Sequence, residues 1–337
     1  MLPSPVGGEG TADQGSFYPP SVAPAVARSG DSECADIGTN GAGQIGHRLH
    51  KPGVAGSSPA AASTLSFDES NDAYHADTAW WSKSQLWDLI SQGPAFFHAR
   101  HLARSVQPYA PGEALKKGTL VHEWAEHGGE AWWSRVVVIP DDALSATGRR
   151  TKKTEEFLAS QPANAILLKQ EEADAYRRQF EAIEANGIFG ELTAATLARE
   201  FSVRWHDPGT GLGLKCRPDA ATPDVLWDIK TTRDPNPLKT FWKSVFSYGY
   251  DLQAVHYLAG AEAAGLSVRK FVFLVTSTVP PYACHAVTLP QRVLDRAVRR
   301  RQFTLNDLHA RLTFDHWLPE DSGQVTELFV PESFLEE

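Results

Sequence analysis

Two aspartates and a lysine in the middle of the chain have the types and spacing that metal-assisted hydrolysis of a phosphodiester requires. Asp219 follows a proline, and eight residues separate it from the sequence Asp228-Ile229-Lys230. Carboxylates hold hard divalent cations such as Mg²⁺, which activate a water and relieve charge on a phosphate. An ammonium group beside them can orient that water and stabilise developing negative charge. The three residues therefore predict a metal-dependent hydrolytic site.

A β-strand is the element that would present Asp228 and Lys230 together. Side chains alternate along a strand, so these two residues share one face of a predicted strand at 224–230. An exposed hairpin with two solvated charges is the alternative interpretation. The catalytic interpretation is favoured because Lys230 is the only lysine of the chain with an acid two residues before it. The opposite face of the strand is apolar: Val225, Trp227 and Ile229.

The preceding strand could add a third carboxylate to the cluster. Residues 200–206 alternate strictly, and Glu200 lies on the polar face of this predicted strand. A turn rich in Gly and Pro follows, and then a second predicted strand at 212–217. Lys215 and Arg217 would point in the same direction as Glu200, so they are candidates for facing a phosphate.

Two helices supply the remaining candidates. Gln253 and Tyr257 are four residues apart on a predicted helix at 250–264, so both project from one helical face. They are either a half-buried packing pair or contacts to the site and its substrate phosphate. His122 lies on a predicted helix at 118–132. It is either an ordinary histidine or an imidazole that joins the metal ligands.

The other elements complete a mixed α/β domain, in which strands, helix, strand, strand and helix follow one another. The predictions are helices at 84–90 and 290–312, two helical stretches within 151–185, and strands at 270–276 and 282–289.

Composition makes the cytoplasm the expected location of the protein. The sequence has no apolar run long enough to span a membrane and no secretory leader pattern. Its three cysteines form no CxxC pair, which argues against a disulfide framework or a structural zinc site. The net charge of −9 argues against coating nucleic acid by bulk positive charge, but it is compatible with a local basic channel.

Residues 1–65 differ from the rest, since they are rich in Gly, Ser, Pro and Ala and lack apolar periodicity. We expect a disordered tail there and one globular domain at 66–337. Residues 51–60 resemble a translated transfer-RNA gene. The tail is therefore either readthrough beside an integrated element or an ordinary flexible segment.

Taken in order, these motifs make the chain resemble the RecE-like phage exonucleases. This PD-(D/E)xK family is related to the RecB nuclease domain and to lambda exonuclease, and its restriction-endonuclease-like core has a mixed central sheet flanked by helices. The resemblance spans about residue 71 to the C-terminus. The motifs run from Tyr74-His75 through residues 82–86, 118–123, 214–219 and 228–232 to Gln253 and Tyr257.

The resemblance implies Mg²⁺-dependent digestion of one strand of linear duplex DNA from an end, by analogy 5′ to 3′, with Mn²⁺ as a substitute metal. Asp219, Asp228, His122 and the Ile229 carbonyl would hold metal, while Lys230 aligns the attacking water. Glu200 would lie in the same pocket, and Gln253 and Tyr257 would match the family's QxxxY motif.

The family's partners are also implied: duplex DNA ends, further copies of the chain in a closed ring, and a RecT-like single-strand annealing protein in the cytoplasm of a bacterial host. Some related nucleases hold an iron–sulfur cluster with four cysteines. This chain has three, so no cluster is expected. A restriction or repair endonuclease of the same fold and a non-catalytic DNA-binding protein remain the alternatives.

Overall fold

The computed structural model describes residues 63–107, 112–143 and 152–319, with the single positions 323, 325 and 327. The stretch that resembles a transfer-RNA gene and the tail up to residue 62 lie outside the described residues. The strands are β1 (Thr64–Ser66), β2 (Trp81–Ser82), β3 (Val136–Val138), β4 (Ile166–Leu168), β5 (Ala198–Arg199), β6 (Ser202–His206), β7 (Gly213–Cys216), β8 (Ala220–Ala221), β9 (Val225–Thr232), β10 (Lys270–Ser277) and β11 (Cys284–Val287). The helices are α1 (Asn71–Ala76), α2 (Lys83–Gln92), α3 (Pro94–Phe97), α4 (Glu113–His127), α5 (Gly129–Trp133), α6 (Lys152–Ala159), α7 (Gln170–Glu184), α8 (Gly187–Ala194), α9 (Pro237–Ser247), α10 (Tyr250–Ala263) and α11 (Gln291–Phe314).

Two larger sheets organise the described residues. One has the strand order β11-β10-β9-β8-β5, in which β9 and β10 are parallel and the other pairs are antiparallel. The other has the order β1-β6-β7-β2, built around the antiparallel pair of β6 and β7. β3 and β4 form a separate parallel pair. The predicted mixed α/β class is confirmed, and the strand that carries Asp228 is the middle strand of the larger sheet.

Alternation along β9 separates two hydrophobic cores. Leu226 packs in the core that includes side chains from α2, α9, α10 and α11. Trp227 and Ile229 pack in the core that includes side chains from α4, α5, α7 and α8. Each large apolar side chain buried in this way contributes about 1.5–3 kcal/mol, so the strand's position is strongly fixed. Asp228 lies between Trp227 and Ile229 in the sequence, so its side chain points to the opposite face of the sheet, toward α10.

Local sequence signals explain where several helices begin and end. α2 begins after Ser82, whose side chain forms a capping box with Gln85. The predicted helix at 118–132 is broken into α4 and α5 at Gly128, whose φ of 86° suits glycine. α9 was not among the predicted elements, although it begins with Pro237 at a position that favours proline. Within the described residues, no helix combines the length and apolarity that crossing a bilayer would demand.

The segment from β1 to α1 is fastened to the smaller sheet. β1 pairs with β6 and includes Thr64 and Leu65, two residues that the sequence assigns to the tail. The guanidinium of Arg204 donates to Glu69 Oε2 at 3.1 Å and to Asp77 Oδ2 at 3.0 Å. A strand of three residues is too short to show alternation, and only its pairing partner defines it.

Lys215 of β7 also binds the segment from β1 to α1. Its side chain is buried, and Nζ donates to the carbonyl oxygens of Tyr74 and Asp77. The prediction that Lys215 faces a phosphate alongside Glu200 is therefore wrong. The strand alternation that suggested it cannot show that α1 covers this face of the smaller sheet.

Candidate active site

The larger sheet brings Asp219 next to Asp228. Asp219 immediately precedes β8, whose pairing with β9 runs from Ala221↔Leu226 to Ala220↔Trp227. Beyond that pair the ladder stops, and the Asp219 carboxylate takes the place of a strand partner by accepting from the Ile229 N–H at 3.3 Å. The position of Asp219 just before β8 thus directs its carboxylate toward β9, the strand that carries Asp228.

Asp228 is buried and held from two sides. Its Oδ2 accepts a hydrogen bond from Gln253 Nε2 on α10, and its Oδ1 is in ionic contact with Lys230 Nζ. Oδ1 accepts no well-directed hydrogen bond from any described residue. A buried carboxylate oxygen in this state has lone pairs to offer a cation, so the donor set fits a metal site.

His122 approaches the carboxylates from α4. Its Nδ1 lies 2.9 Å from Asp219 Oδ2. Gly118 of α4 faces Thr231 of β9, and a Cβ at residue 118 would lie 3.4 Å from the Thr231 hydroxyl, an ordinary contact distance. One ligand atom from each of His122, Asp219 and Asp228 lies within 4.8 Å of the others, a spacing that one divalent cation can span.

The protonation states of this cluster follow from burial and mutual charge. Burial opposes the charged imidazole, but the charge and hydrogen bond of Asp219 outweigh it and raise the pKa of His122 to about 9. Burial also disfavours ionised Asp219, yet His122 outweighs it and lowers the pKa of Asp219. At Asp228, burial and then the Asp219 charge raise the pKa. Two carboxylates in one buried site repel each other, and a divalent cation would relieve that repulsion.

Lys230 keeps its charge beside the cluster. Burial would lower the pKa of Lys230, but Asp228 and then Asp219 outweigh it and raise the pKa instead. The ammonium also lies 4.9 Å from the centroid of the Tyr250 ring, at the start of α10. α10 can begin there because Gly249 has a φ of 63° and packs where any Cβ would lie 2.4 Å from Trp87.

Glu200 lies in the same region, but not on the predicted strand face. The predicted strand at 200–206 begins only at Ser202, as β6, which pairs with β7, whereas β5 ends at Arg199 and pairs with β8 in the other sheet. Glu200 stands at the change of sheet with a left-handed φ of 47°. It pairs with Arg217 at 2.9 Å, whereas burial and then the Asp219 charge raise the pKa of Glu200 to about 7.

Gln253 and Tyr257 project from one face of α10 toward the cluster, as their spacing predicts. Gln253 contacts Asp228 directly, and burial raises the pKa of Tyr257 well above its ordinary value, so the phenol stays protonated. Ile229 offers its N–H to Asp219, and its side chain is buried in the core. A metal-binding role for the Ile229 carbonyl remains a prediction.

A cavity of about 1060 Å³ opens beside these residues. Two contributors to its wall were not predicted: Lys83 at the start of α2, and Tyr250. Tyr250 was detectable, since it lies three residues before Gln253 and thus on the same helical face. Lys83 lies in the motif at residues 82–86, but no spacing within α2 shows that it faces the cavity, because its position depends on how α2 packs against α10. The lining also includes His122, Asp219, Lys230, Glu200, Arg217 and Tyr257.

Comparisons with known proteins agree with this architecture. A crystal structure described as a "Putative exonuclease" from Eubacterium rectale matches with a TM-score of 0.51 and 13% identity, covering 80% of this chain and 98% of that one. No curated protein matches the sequence significantly. At this identity the structural likeness shows the fold alone, an α/β fold that the two chains share.

Residues 82–327 match a family described as "PDDEXK-like domain of unknown function" (DUF3799). This range contains every ligand and catalytic candidate described above, from His122 to Tyr257. Because the match covers most of the sequence, the chain belongs to this PDDEXK-like family.

Proposed function

We propose that this protein is a divalent-metal-dependent deoxyribonuclease that shortens linear duplex DNA from an end. The observation that carries the proposal is the convergence of His122, Asp219 and buried Asp228 beside Lys230, at the wall of a cavity that His122, Asp219 and Lys230 line. Two carboxylates and an imidazole suit Mg²⁺ or Mn²⁺. When bound, such an ion supplies an activated water and relieves charge on the phosphate.

The protein side chains have separate tasks in this proposal. The Lys230 ammonium orients the attacking water and stabilises negative charge as the phosphorus–oxygen bond breaks. Gln253 holds the Asp228 carboxylate in its ligating orientation. Tyr257, which stays protonated, can donate a hydrogen bond to a phosphate oxygen, and the pair of Glu200 and Arg217 borders the same space.

Action at DNA ends is supported by the resemblance to RecE-like exonucleases and by the name of the Eubacterium rectale protein. The same resemblance supports 5′ to 3′ polarity and a role in making single-stranded tails for phage-type recombination. Mg²⁺ is the expected metal, and no iron–sulfur cluster enters the proposal.

A pair of DNA substrates tests the reaction. Purified protein with Mg²⁺ should shorten one strand of a linear duplex labelled at each end and should leave a covalently closed circle intact. Lys230→Ala serves as the inactive control. Cleavage of the circle would replace this proposal with an endonuclease of the same fold. DNA binding without any hydrolysis, in the presence of Mg²⁺ or Mn²⁺, would replace it with a non-catalytic DNA-binding protein.

Assembly into a ring around DNA, together with a single-strand annealing protein in the bacterial cytoplasm, completes the proposal. Self-assembly is supported by an apolar face on α9, where Leu238, Trp242 and Phe246 follow one another at four-residue intervals and are exposed. The annealing partner and the location are supported by the resemblance to RecE-like exonucleases. Sedimentation of the purified protein tests self-assembly, and a monomer at all concentrations would contradict the ring.

A further inference from the structure

The cavity contains a second ammonium group besides Lys230. Lys83, the first residue of α2, lines the cavity and donates from Nζ to the Tyr248 carbonyl at 2.6 Å. The same nitrogen lies 5.7 Å from the centroid of the Tyr250 ring, and Lys230 Nζ lies 4.9 Å from that centroid. The two lysines therefore share one aromatic ring as a neighbour, with Lys230 on the side of the metal ligands.

Lys83 differs from Lys230 in the distance to its counter-charges. Among the described residues, no carboxylate lies within 4.0 Å of Lys83 Nζ, whereas Lys230 is paired with Asp228. Desolvation and then the charge of Lys230 lower the pKa of Lys83 to about 7, with Arg300 acting in the same direction and two buried aspartates opposing it. A cation kept in this position is stabilised when an anion arrives.

The backbone around Lys83 favours the same kind of ligand. Ser82, Lys83 and Ser84 all line the cavity. They form the start of a ten-residue helix, where the first N–H groups lack partners within the helix and the dipole favours negative charge. The Ser82 side chain is already used as the helix cap, whereas the long Lys83 side chain can exchange its bond to the Tyr248 carbonyl for one to a ligand.

We propose that Lys83 is a substrate-binding residue that contacts a phosphate group of the DNA strand held in the cavity. This inference rests on the proposed nuclease function. Lys83 does not contact the metal ligands, so it binds a phosphate other than the one being hydrolysed. The contact is equally strong before and during hydrolysis, and it therefore lowers KM without raising kcat.

Steady-state hydrolysis of a linear duplex tests the role of the charge. Lys83→Met should raise KM roughly 10- to 100-fold, the effect of losing a hydrogen bond to a charged group, with kcat within about 2-fold. Lys83→Arg, which keeps the charge, should recover most of the loss. Lys243→Met removes an exposed lysine on α9 as the matched control and should leave both constants unchanged. Equal Mn²⁺ affinity in all variants would exclude an indirect effect on the metal site.

Substrates with single neutral methylphosphonates identify the phosphate. At the contacted position the substitution should raise KM for the wild type but not further for Lys83→Met. Methylphosphonates at terminal and at internal positions of each strand then show which phosphate Lys83 contacts. If wild-type protein hydrolyses DNA and Lys83→Met matches it, the inference is wrong and the nuclease function stands. A fall in kcat at constant KM, or equal sensitivity of both proteins at every position, also overturns it. If wild-type protein hydrolyses no DNA, both proposals fail. Should Lys83→Met not fold, Lys83→Arg and the wild-type methylphosphonate series still decide the outcome.

Discussion

Replacing Gln253 by methionine should weaken the metal site without removing any of its ligands. Gln253 Nε2 donates to Asp228 Oδ2, and the Asp228 residue is only 2% exposed, so water cannot easily replace the lost donor. Methionine fills a similar volume but donates no hydrogen bond. In this variant Asp228 Oδ1 still contacts Lys230, but Oδ2 loses the hydrogen bond from Gln253 that orients it.

The structure sets the size of this effect. A hydrogen bond to a charged group is worth about 1.5–3 kcal/mol, compared with about 0.5–1.5 kcal/mol for a neutral pair. The range for a hydrogen bond to a charged group converts to a loss of metal affinity of roughly 10- to 150-fold, since each 1.4 kcal/mol is about tenfold. Because every ligand is still present, a high Mg²⁺ concentration should restore most of the turnover.

Calorimetric Mn²⁺ titration and hydrolysis at several Mg²⁺ concentrations measure the loss. The matched control is Gln179→Met, since Gln179 is also buried and donates to Thr276 Oγ1 at 3.3 Å, in the core on the other side of the sheet. It should cost some stability and leave metal affinity unchanged. If Gln253→Met binds Mn²⁺ like the wild type, or if both variants lose affinity equally, the orienting role of Gln253 is refuted.

Three further predictions concern the same cluster. Lys230→Ala should abolish Mg²⁺-dependent hydrolysis and leave the fold intact, and full activity of this variant would reject the catalytic role of Lys230. The metal-free variant should melt at a lower temperature than the wild type because buried Asp228 loses its counter-charge, and Mg²⁺ should recover part of that loss. Asp219→Ala should lose Mn²⁺ binding by calorimetry together with turnover, and unchanged binding would count against it as a ligand. A metal must displace the proton of His122, whose pKa is raised to about 9, so affinity should rise with pH up to about 9, with proton release seen in buffers of different ionisation enthalpy. In the metal-free protein the stabilising pair of His122 and Asp219 is complete between the ordinary pKa of aspartate, about 3.8, and that of histidine, about 6.5, and it is lost as pH rises through 9. Constant metal affinity between pH 7 and 9 would contradict this reasoning.

Residues whose placement depends on the period of one element were predictable from the sequence. Strand alternation put Asp228 and Lys230 on one face, and helical spacing put Gln253 and Tyr257 on another. α9 was equally accessible in principle, because its proline start and its four-residue apolar interval are both local signals. The roles of these residues in catalysis remain predictions.

Residues whose placement depends on two elements at once were not predictable in the same way. Glu200 fits the start of the alternating pattern at 200–206, and only the pairing of β5 and β6 with different sheets shows that the chain changes direction there. Lys215 looks like a polar-face residue until α1 is seen to cover it. Lys83 belongs to the cavity because α2 packs against α10, which no period within α2 encodes.

The attachment of β1 and α1 has a practical bearing on where this domain can be trimmed. The sequence shared with the family begins at residue 82, yet Phe67 and His75, which come before it, belong to the cavity lining. The same segment before residue 82 provides hydrogen-bond acceptors for Arg204 and Lys215. A fragment that begins at residue 82 would leave Arg204 and Lys215 without these acceptors at the surface of the smaller sheet, and it would open one side of the site to bulk water. Fragments for crystallisation or assay should therefore start before Thr64, and activity lost on trimming to residue 82 should not be blamed on the metal ligands.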